Sequence, residues 1–390
     1  MVQQLKSKDY IAMEDAYNAH NYHPVPVVIS RGQGVNVWDV DGKQYIDFLS
    51  AYSAVNQGHC HPRIIAALVD QASRLTLTSR AFHSDQLGIY AKFMTEYFGY
   101  EKILPMNTGV EGGETAVKIC RKWAYTVKKV APNQAKIIFA AGNFWGRTVT
   151  AVSTSTDPTT KDNFGPYTPG FQVIPYNDLN ALREAVQDPN TAGFYIEPIQ
   201  GEAGVVVPDD GYLREAYAIC KAANVLFIAD EIQTGLGRTG TLLACDHDGV
   251  RPDILILGKA LSGGHGSTYG GNALACRVAM AALDVLRDEK LTERSFRLGN
   301  VLRAELSKLQ EQYKWVQLVR GRGLLNAIVI DETFKVSAWD ITLMLKDAGL
   351  LAKPTHGHII RLAPPLVISD EELAKAVGII RDVFAKVNAL

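Results

Sequence analysis

The pattern of apolar and polar positions predicts alternating strands and helices through the middle of the chain. Short, continuous apolar runs are typical of strands that are buried on both faces of a sheet. The clearest runs lie at residues 136–142, 171–176, 193–199, 225–230 and 253–259. Amphipathic stretches such as 179–187 and 211–223 separate them. This order predicts an α/β fold with a mainly parallel sheet covered by helices on both faces.

The two ends of the chain are patterned differently from its middle. Residues 35–48 contain two alternating runs that meet at Asp41-Gly42, which predicts a β-hairpin. Apolar positions at helical spacing predict a long helical stretch over roughly 278–312 and a final amphipathic helix over about 370–388. The short apolar runs between these helices predict the strands 326–331 and 358–365.

These patterns suggest a division of the chain into two domains. We predict a large domain over residues 50–285 and a smaller α+β domain over 286–390. The N-terminal segment, residues 1–49, is expected to pack with the smaller domain, so that both termini contribute to it.

Composition and charge narrow the class of protein. Of the 390 residues, 47% are hydrophobic and 21% are charged, which is typical of a folded globular protein rather than a disordered one. The formal net charge is −1, and no basic run suggests a nucleic-acid or membrane partner. Acidic residues in the first segment argue against a signal or transit peptide. We therefore expect a cytoplasmic protein, or the processed form of one from the mitochondrial matrix.

The five cysteines do not form a recognisable metal or disulfide pattern. Cys60 lies between His59 and His61, but no second pair of ligands follows at the spacing of a zinc site. A small thiol beside two loop histidines is the simpler interpretation. We expect reduced cysteines and no bound metal.

The residues that predict chemistry lie where two apolar strands end. One strand ends in Asp230 and the next ends in Lys259. The carboxyl ends of parallel strands face the ligand crevice of a doubly wound sheet, so both side chains are expected at the same edge. An isolated pair of this kind is more often an ordinary salt bridge than a catalytic site.

A glycine-bearing turn changes that interpretation. In MNTGVEGGETAVKICRKW (106–123), Gly109 and Val110 open a predicted helix, whose free N–H groups and positive dipole end favour a phosphate. A lysine that condenses with an aldehyde, a helix start that holds a phosphate and a carboxylate that keeps a pyridine nitrogen protonated are the requirements of pyridoxal 5'-phosphate. The combination predicts this cofactor, although each part alone is common.

Blocks along the whole chain resemble the class III, or ω-amino acid, aminotransferases. These blocks are SAYSAVNQGHCHP (50–62), AAGNFWGRT (140–148), EPIQGEAGVVVP (197–208), DEIQTGLGRTG (230–240), GKALSGG (258–264), HGSTYGGN (265–272) and LLAKPTHG with IIRLAPPL (350–366). The resemblance implies fold type I of the pyridoxal-phosphate enzymes and an obligate homodimer with active sites at its interface.

The resemblance also implies roles for individual residues. Lys259 would form the Schiff base with the cofactor, and Asp230 would pair with the pyridinium nitrogen. The other implied cofactor ligands are Phe144 and Ile232 on the faces of the ring, Trp145 beside it, Gln233 at the ring hydroxyl, Gly109 and Val110 at the phosphate, and Ser267 and Thr268 from the neighbouring subunit.

A second implied set selects the substrates. Arg147 would bind a substrate carboxylate, while Tyr22 and Tyr52 would shape the pocket and Tyr22 would contact an α-amino group. Glu202 and Arg361 would form an ion pair that opens when an α-carboxylate arrives. These features imply transfer of the δ-amino group of L-ornithine to 2-oxoglutarate, as in proline synthesis and arginine breakdown. Acetylornithine and 4-aminobutyrate are the alternative donors, and a decarboxylase or a non-catalytic module are the alternatives of another class.

The chain departs from the family pattern at one junction. In the family, a segment with a strand and a loop separates the blocks that here meet at Gly264 and His265. Its absence predicts a gap in the large sheet, with unpaired backbone groups along it. Either the sequence lacks residues that the native protein has, or the protein is a shortened and catalytically impaired form. A normal peptide bond between Gly264 and His265 would argue against the first explanation.

Overall fold

A computed structural model describes residues 5–262 and 270–390 of the protein. The α-helices of the described part are α1 (Ser7–Tyr17), α2 (Ser50–Ser53), α3 (Pro62–Arg74), α4 (Asp85–Phe98), α5 (Gly109–Trp123), α6 (Val149–Ser153), α7 (Pro158–Lys161), α8 (Leu179–Ala185), α9 (Tyr212–Ala222), α10 (Ala273–Asp288), α11 (Leu291–Gln312), α12 (Ala338–Asp347) and α13 (Asp370–Ala389). A π-helical turn (Ala124–Lys128) extends α5, and 3₁₀ turns lie at Ala244–Asp248 and Lys259–Ser262.

The strands of the described part form three sheets. They are β1 (Ile29–Gln33), β2 (Asn36–Asp39), β3 (Gln44–Asp47), β4 (Lys136–Ala140), β5 (Phe171–Ile174), β6 (Thr191–Ile196), β7 (Leu226–Asp230), β8 (Ile254–Ile256), β9 (Val316–Arg322), β10 (Leu325–Ile330), β11 (Leu350–Leu351), β12 (Lys353–Thr355) and β13 (Ile359–Leu362).

The central sheet has the strand order β5-β4-β6-β7-β8, and every pair in it is parallel. Every residue of β6 is buried, because helices cover both faces. Ala116 and Val117 of α5 pack on one face, whereas Leu213 and Ala216 of α9 pack on the other. The predicted α/β fold with a parallel sheet is confirmed, although the last strand is shorter than the predicted run 253–259.

The N-terminal strands join the C-terminal third of the chain. The hairpin of β2 and β3 forms at Asp41-Gly42 as predicted, and β3 pairs in parallel with β11. A second sheet has the order β12-β13-β10-β9, and α11, α12 and α13 pack with it in one apolar cluster. The domain boundaries at residues 49 and 285 stay a prediction.

The long helical stretch predicted over roughly 278–312 is helical in the structure but is interrupted once. The structure has two helices there, α10 and α11, and the chain turns at Lys290, which has a left-handed φ of 51°. Both helices bury their apolar faces in the same cluster, from Leu286 on one side of the turn to Leu291 on the other. Apolar spacing therefore continues across the break and does not reveal it. Among the described helices, none is long and apolar enough to span a bilayer.

Candidate active site

Asp230 ends strand β7 and lies at the carboxyl edge of the central sheet. Its carboxylate accepts hydrogen bonds from the Tyr195 hydroxyl at 2.7 Å and from the Ile232 N–H at 3.1 Å. Only 4% of Asp230 is exposed, and burial raises the pKa of its carboxyl group to about 6. The site therefore contains a buried acid with few partners, which a cationic group would stabilise.

Lys259 follows β8 and opens a 3₁₀ turn with a left-handed φ of 51°. Because Asp230 pairs with Ile256 across the parallel ladder, the ends of β7 and β8 lie side by side, as the sequence predicted. The ammonium nitrogen lies 5.5 Å from the centre of the Tyr52 ring. Burial lowers the pKa of Lys259 to about 8, which makes the neutral, nucleophilic amine accessible near physiological pH.

Helix α5 begins at Gly109, the position predicted to hold the phosphate. Thr108 caps the helix through the Glu111 N–H, and Gly109 and Val110 are its first residues. A Cβ atom added at Gly109 would lie 2.8 Å from Cδ1 of Ile232, so a larger residue would fill the space between the helix start and Ile232. The N–H groups of Gly109 and Val110, a nucleophilic lysine and a buried carboxylate fit the phosphate, aldehyde and pyridine nitrogen of pyridoxal 5'-phosphate.

The loop after β4 supplies the two predicted aromatic residues. The Phe144 N–H donates to Oε1 of Glu197 at 2.9 Å. Trp145 is 4% exposed, its indole N–H donates to Thr154, and its ring lies 5.5 Å from that of Tyr195. Trp145 is thus packed among core aromatics. Its predicted place beside the cofactor ring, and that of Phe144 on its face, stay predictions.

The predicted ion pair between Glu202 and Arg361 is present. The Arg361 guanidinium donates to Oε1 of Glu202 at 2.8 Å, and a second nitrogen donates to Oε1 of Gln233 at 2.9 Å. The Gln233 amide also donates to Glu202 at 2.9 Å, which closes a three-residue network. Although burial alone would raise it, the pKa of Glu202 is lowered because Arg361 stabilises the carboxylate. Gln233 joins this network, and its predicted bond to the ring hydroxyl stays untested.

The other predicted substrate residues lie around this network. The Arg361 guanidinium carbon is 5.1 Å from the Tyr52 ring centre, and Tyr52 has a left-handed φ of 58°. Four consecutive residues, 50–53, share this rare conformation, which is typical of backbone held under strain at a functional site. The Arg147 guanidinium lies 5.3 Å from the ring centre of Tyr22, which is 61% exposed. The predicted phosphate residues Ser267 and Thr268, and the junction between Gly264 and His265, lie outside the described residues.

Two residues of the site were missed from the sequence. Tyr195 bonds Asp230, and Glu197 is a fully buried carboxylate whose pKa burial raises well above its usual value. Tyr195 pairs with Ile228 in the ladder, so alternation directs it and Asp230 to the same face of the sheet. The only signal for Tyr195 in the sequence is that it is a polar residue inside a continuous apolar strand. The register of β6 against β7, which brings it to Asp230, cannot be predicted from the sequence.

The histidines beside Cys60 have separate partners. His59 lies 2.8 Å from an Asp47 oxygen, and His61 lies 2.9 Å from a Glu289 oxygen, while Cys60 is an exposed thiol. Within residues 5–262 and 270–390, no three side chains of His, Cys, Asp or Glu are grouped so that they could hold a metal ion. Each histidine thus serves a different structural contact.

The comparison with protein families identifies the class of protein. The family model for aminotransferase class-III matches residues 17–265 and 262–384, which together are most of the chain. The chain therefore belongs to the class III aminotransferases.

The chain is also similar, in sequence and in structure, to individual members of this family. The chain is 59% identical to the mitochondrial ornithine aminotransferase of Drosophila melanogaster over 397 residues, covering 96% of this chain and 91% of that protein. A Toxoplasma gondii ornithine aminotransferase structure, described with partial occupancy of PLP at its active site, superposes with a TM-score of 0.97 at 51% identity, covering 99% and 96% of the two chains. An acetylornithine aminotransferase from Elizabethkingia anophelis superposes with a TM-score of 0.90 at 56% identity, covering 97% and 99%.

Replacing Tyr195 by phenylalanine is expected to destabilise the charged form of the Asp230 carboxyl group without changing substrate affinity. The Tyr195 hydroxyl lowers the pKa of the Asp230 carboxyl by donating a hydrogen bond, so its loss raises that pKa. A hydrogen bond to a charged group contributes about 1.5–3 kcal/mol, which corresponds to a kcat lower by roughly tenfold or more. The acid limb of the kcat profile should move to higher pH while KM stays nearly constant. Tyr313→Phe, at another buried tyrosine, is the control; an equal effect there, or an unmoved acid limb, would contradict the assignment.

Proposed function

We propose that the protein is a pyridoxal-phosphate-dependent aminotransferase that transfers the δ-amino group of L-ornithine to 2-oxoglutarate. The products are glutamate 5-semialdehyde and glutamate. The observation that carries the proposal is the ion pair between Glu202 and Arg361 at 2.8 Å, because opening this pair would give one site two electrostatic states. The ornithine aminotransferases among the relatives support the same choice of substrate.

The site residues divide the work of amino-group transfer. When bound, the cofactor supplies an electron sink that stabilises negative charge on the substrate carbon. Asp230, at the end of β7, would hold a proton at the pyridine nitrogen, since a buried carboxylate favours a cation beside it. Lys259, at the end of β8, would carry a proton from the substrate carbon, because its lowered pKa suits both acceptance and release.

The Glu202–Arg361 pair would let the same pocket accept two unlike substrates. While the pair is closed, the charge of Arg361 is neutralised, so the ammonium end of ornithine can approach Lys259 without repulsion. An α-carboxylate of 2-oxoglutarate or glutamate would compete with Glu202 for the guanidinium and bind it through two parallel hydrogen bonds. Arg361 is 1% exposed, so its charge always requires one of these two partners.

Arg147 and Tyr22 would hold the far end of the substrate. The Arg147 guanidinium carbon lies 5.3 Å from the ring centre of Tyr22 and 5.6 Å from that of Phe144. It would bind the carboxylate of ornithine, and the Tyr22 hydroxyl would accept a hydrogen bond from the α-ammonium group.

The choice between donors can be measured directly. N-Acetylornithine carries a neutral amide in place of the α-ammonium group, so its N–H would donate only a weaker, uncharged hydrogen bond to the Tyr22 hydroxyl. Purified protein loaded with cofactor should therefore turn over L-ornithine faster than N-acetylornithine or 4-aminobutyrate, with 2-oxoglutarate as acceptor. Turnover of N-acetylornithine with none of L-ornithine would reject the proposed donor while leaving the reaction class intact.

Replacing Glu202 by glutamine is expected to change the preference between the two half-reactions. The substitution keeps a hydrogen-bond acceptor but removes the charge that masks Arg361, so α-carboxylates gain access and ornithine loses it. The ratio of the ornithine rate to the glutamate rate should fall by roughly tenfold or more, the scale of one buried charge pair. Single-turnover kinetics with each donor measure this ratio. Glu184→Gln, at an exposed helix position, is the matched control, and an unchanged ratio in E202Q would contradict the switch.

The pKa of Lys259 predicts how cofactor uptake depends on pH. Only the neutral amine attacks an aldehyde, and burial lowers this pKa from its usual 10.5 to about 8. The rate of covalent attachment of pyridoxal phosphate to the cofactor-free protein should therefore rise about tenfold per pH unit below that pKa and level off above it. Stopped-flow absorbance measures this rate. A rise that continues to about pH 10 would show that Lys259 is not desolvated as the fold suggests.

Assembly and location are further parts of the proposal. Ser267 and Thr268 would complete the phosphate site of a neighbouring subunit, which makes a homodimer the working unit. Sedimentation of the cofactor-loaded protein tests this point. Four ornithine aminotransferases among the relatives, one of them a probable one, are named mitochondrial, which favours the matrix over the cytoplasm as the location of this chain.

A further inference from the structure

Helix α2, which carries Tyr52, is a single turn of left-handed backbone. The φ values along residues 50–53 are 52°, 46°, 58° and 72°. Residues with a Cβ atom rarely adopt this conformation, and a run of them persists only where neighbouring contacts hold it in place. We call residues 50–53 the strained turn. The contacts that hold the strained turn therefore also set the position of the Tyr52 side chain.

The strained turn places the Tyr52 ring next to two cationic groups of the site. The ring centre lies 5.5 Å from the ammonium nitrogen of Lys259 and 5.1 Å from the guanidinium carbon of Arg361. Both distances are within the range at which an aromatic ring attracts a cation. A shift of this ring would change the surroundings of the amine proposed to carry the proton and of the group proposed to bind the α-carboxylate.

Asp47, the last residue of β3, binds the start of the strained turn. It is 7% exposed, and its Oδ1 accepts hydrogen bonds from the Leu49 N–H at 2.8 Å and from the Ser50 N–H at 3.0 Å. One oxygen that accepts both N–H groups directs the chain out of β3 and into the turn. The other oxygen lies 2.8 Å from Nε2 of His59, so a second residue holds the carboxylate itself.

His59 is held in turn by the N-terminal hairpin. Its N–H donates to the Gly34 carbonyl at 2.8 Å, and its carbonyl accepts from the Gly34 N–H at 3.0 Å. A Cβ atom at Gly32 would lie 2.7 Å from that of His59, so this side chain packs closely against β1. The partner of the Asp47 carboxylate therefore belongs to a well-packed part of the structure.

The strained turn is also bonded to the strand that carries Arg361. The Ser50 hydroxyl donates to the Ala363 carbonyl at 2.7 Å, and the Ala363 N–H donates to the Phe48 carbonyl at 2.7 Å. Ala363 follows Arg361 by two residues. Asp47 thus connects the hairpin to a turn that is fixed beside Arg361.

We propose that Asp47 is a positioning residue for amino-group transfer, which holds the strained turn so that Tyr52 lies beside Lys259 and Arg361. It acts on the reaction through Tyr52 rather than by contact with the substrate. This inference rests on the proposed function, from which Lys259 and Arg361 take their roles.

Two substitutions at Asp47 separate its hydrogen bonds from its charge. Asp47→Ala removes both bonds to the backbone and should lower kcat/KM for L-ornithine by roughly tenfold or more in the cofactor-loaded protein. Asp47→Asn retains an oxygen that can accept from Leu49 and Ser50, so it should retain most of the activity. Hydrogen exchange at residues 49–53 should be faster in D47A and close to the wild-type rate in D47N.

Asp39→Ala is the matched control. Asp39 lies in the same hairpin, is 8% exposed and also accepts two backbone N–H bonds, from Asp41 at 3.0 Å and from Lys43 at 2.8 Å. D39A should lower the melting temperature as D47A does, but leave kcat/KM for L-ornithine close to the wild-type value.

A double-mutant cycle with Tyr52 tests how the effect of Asp47 reaches the reaction. In a Tyr52→Ala background, D47A should cause little further loss of kcat/KM, because the ring that Asp47 positions is already absent. Additive losses would show a merely structural role and overturn the proposal. Full activity in D47A, a D47N protein as impaired as D47A, or an equal loss in D39A would also overturn it.

His59→Ala keeps the proposal testable if D47A does not fold. It removes the side chain that supports the carboxylate, and a smaller loss is expected that again disappears in the Tyr52→Ala background. An additive loss would overturn the proposal here too. Failure of the proposed function appears in the wild-type protein, as no turnover of L-ornithine, and would overturn this inference with it. Failure of the inference alone appears only among the variants.

Discussion

Replacing Lys259 by alanine is expected to abolish amino-group transfer. In the proposed mechanism, the Lys259 side chain would provide both the nucleophile for the cofactor and the base for the substrate proton. Loss of a positioned acid–base group alone costs 10²–10⁴-fold in rate, so loss of both roles should lower kcat by about 10⁴-fold or more. Coupled assays of glutamate 5-semialdehyde formation measure this loss.

Two controls separate chemistry from folding in this experiment. Lys259→Arg keeps the positive charge but cannot form the covalent linkage, so it should be as inactive as the alanine variant. Lys346→Ala, at the end of α12, should retain activity. The covalent link can be detected by borohydride reduction and mass spectrometry of the tryptic peptide. Substantial transfer activity in K259A, or label on a different lysine, would contradict the assignment.

Replacing Asp230 by asparagine should have the second largest effect. The amide keeps the shape of the side chain but cannot stabilise a protonated pyridine nitrogen by charge. Removing one preorganised electrostatic partner typically costs about 10²–10³-fold in kcat, and we expect a loss of that size here. Because Lys259 is intact, the variant should still attach the cofactor covalently.

The Asp230 experiment compares covalent attachment of the cofactor, which should be retained, with substrate turnover, which should be lost. Absorbance of the bound cofactor reports attachment, and steady-state kinetics report turnover in the same preparation. Asp210→Asn, at an exposed position, is the control and should match the wild-type protein. A D230N protein that retains full kcat would show that this carboxylate does not serve the pyridine nitrogen.

Several site residues at the carboxyl edge of the central sheet could be predicted from the sequence, because neighbouring parallel strands end side by side. Continuous apolar runs predicted the strands of the central sheet, and Asp230 and Lys259 were recognised as the polar residues that end two of these runs. The helix start at Gly109 was visible for a similar reason, since glycine and a capping threonine mark that position. These features depend only on local pattern and on the general geometry of α/β folds.

The features that were missed depend on contacts between distant segments. Tyr195 is one polar residue in a buried strand, and its bond to Asp230 follows from the register of β6 against β7. The break at Lys290 was hidden because the helices on both sides bury the same apolar face. The resemblance to the family suggested the pairing of Glu202 with Arg361, but the part of Gln233 in joining them appeared only in the structure.

The gap that the sequence predicted in the large sheet stays a prediction, because the junction between Gly264 and His265 lies outside the described residues.

The most direct test of the account is the absorbance of the cofactor-loaded protein during two successive additions. L-Ornithine should remove the visible absorption of the covalently attached cofactor, and 2-oxoglutarate should then restore it, because both half-reactions use the site formed by Lys259, Asp230 and the Glu202–Arg361 pair. A protein whose spectrum is unchanged by L-ornithine, while N-acetylornithine removes the absorption completely, would contradict the proposed function.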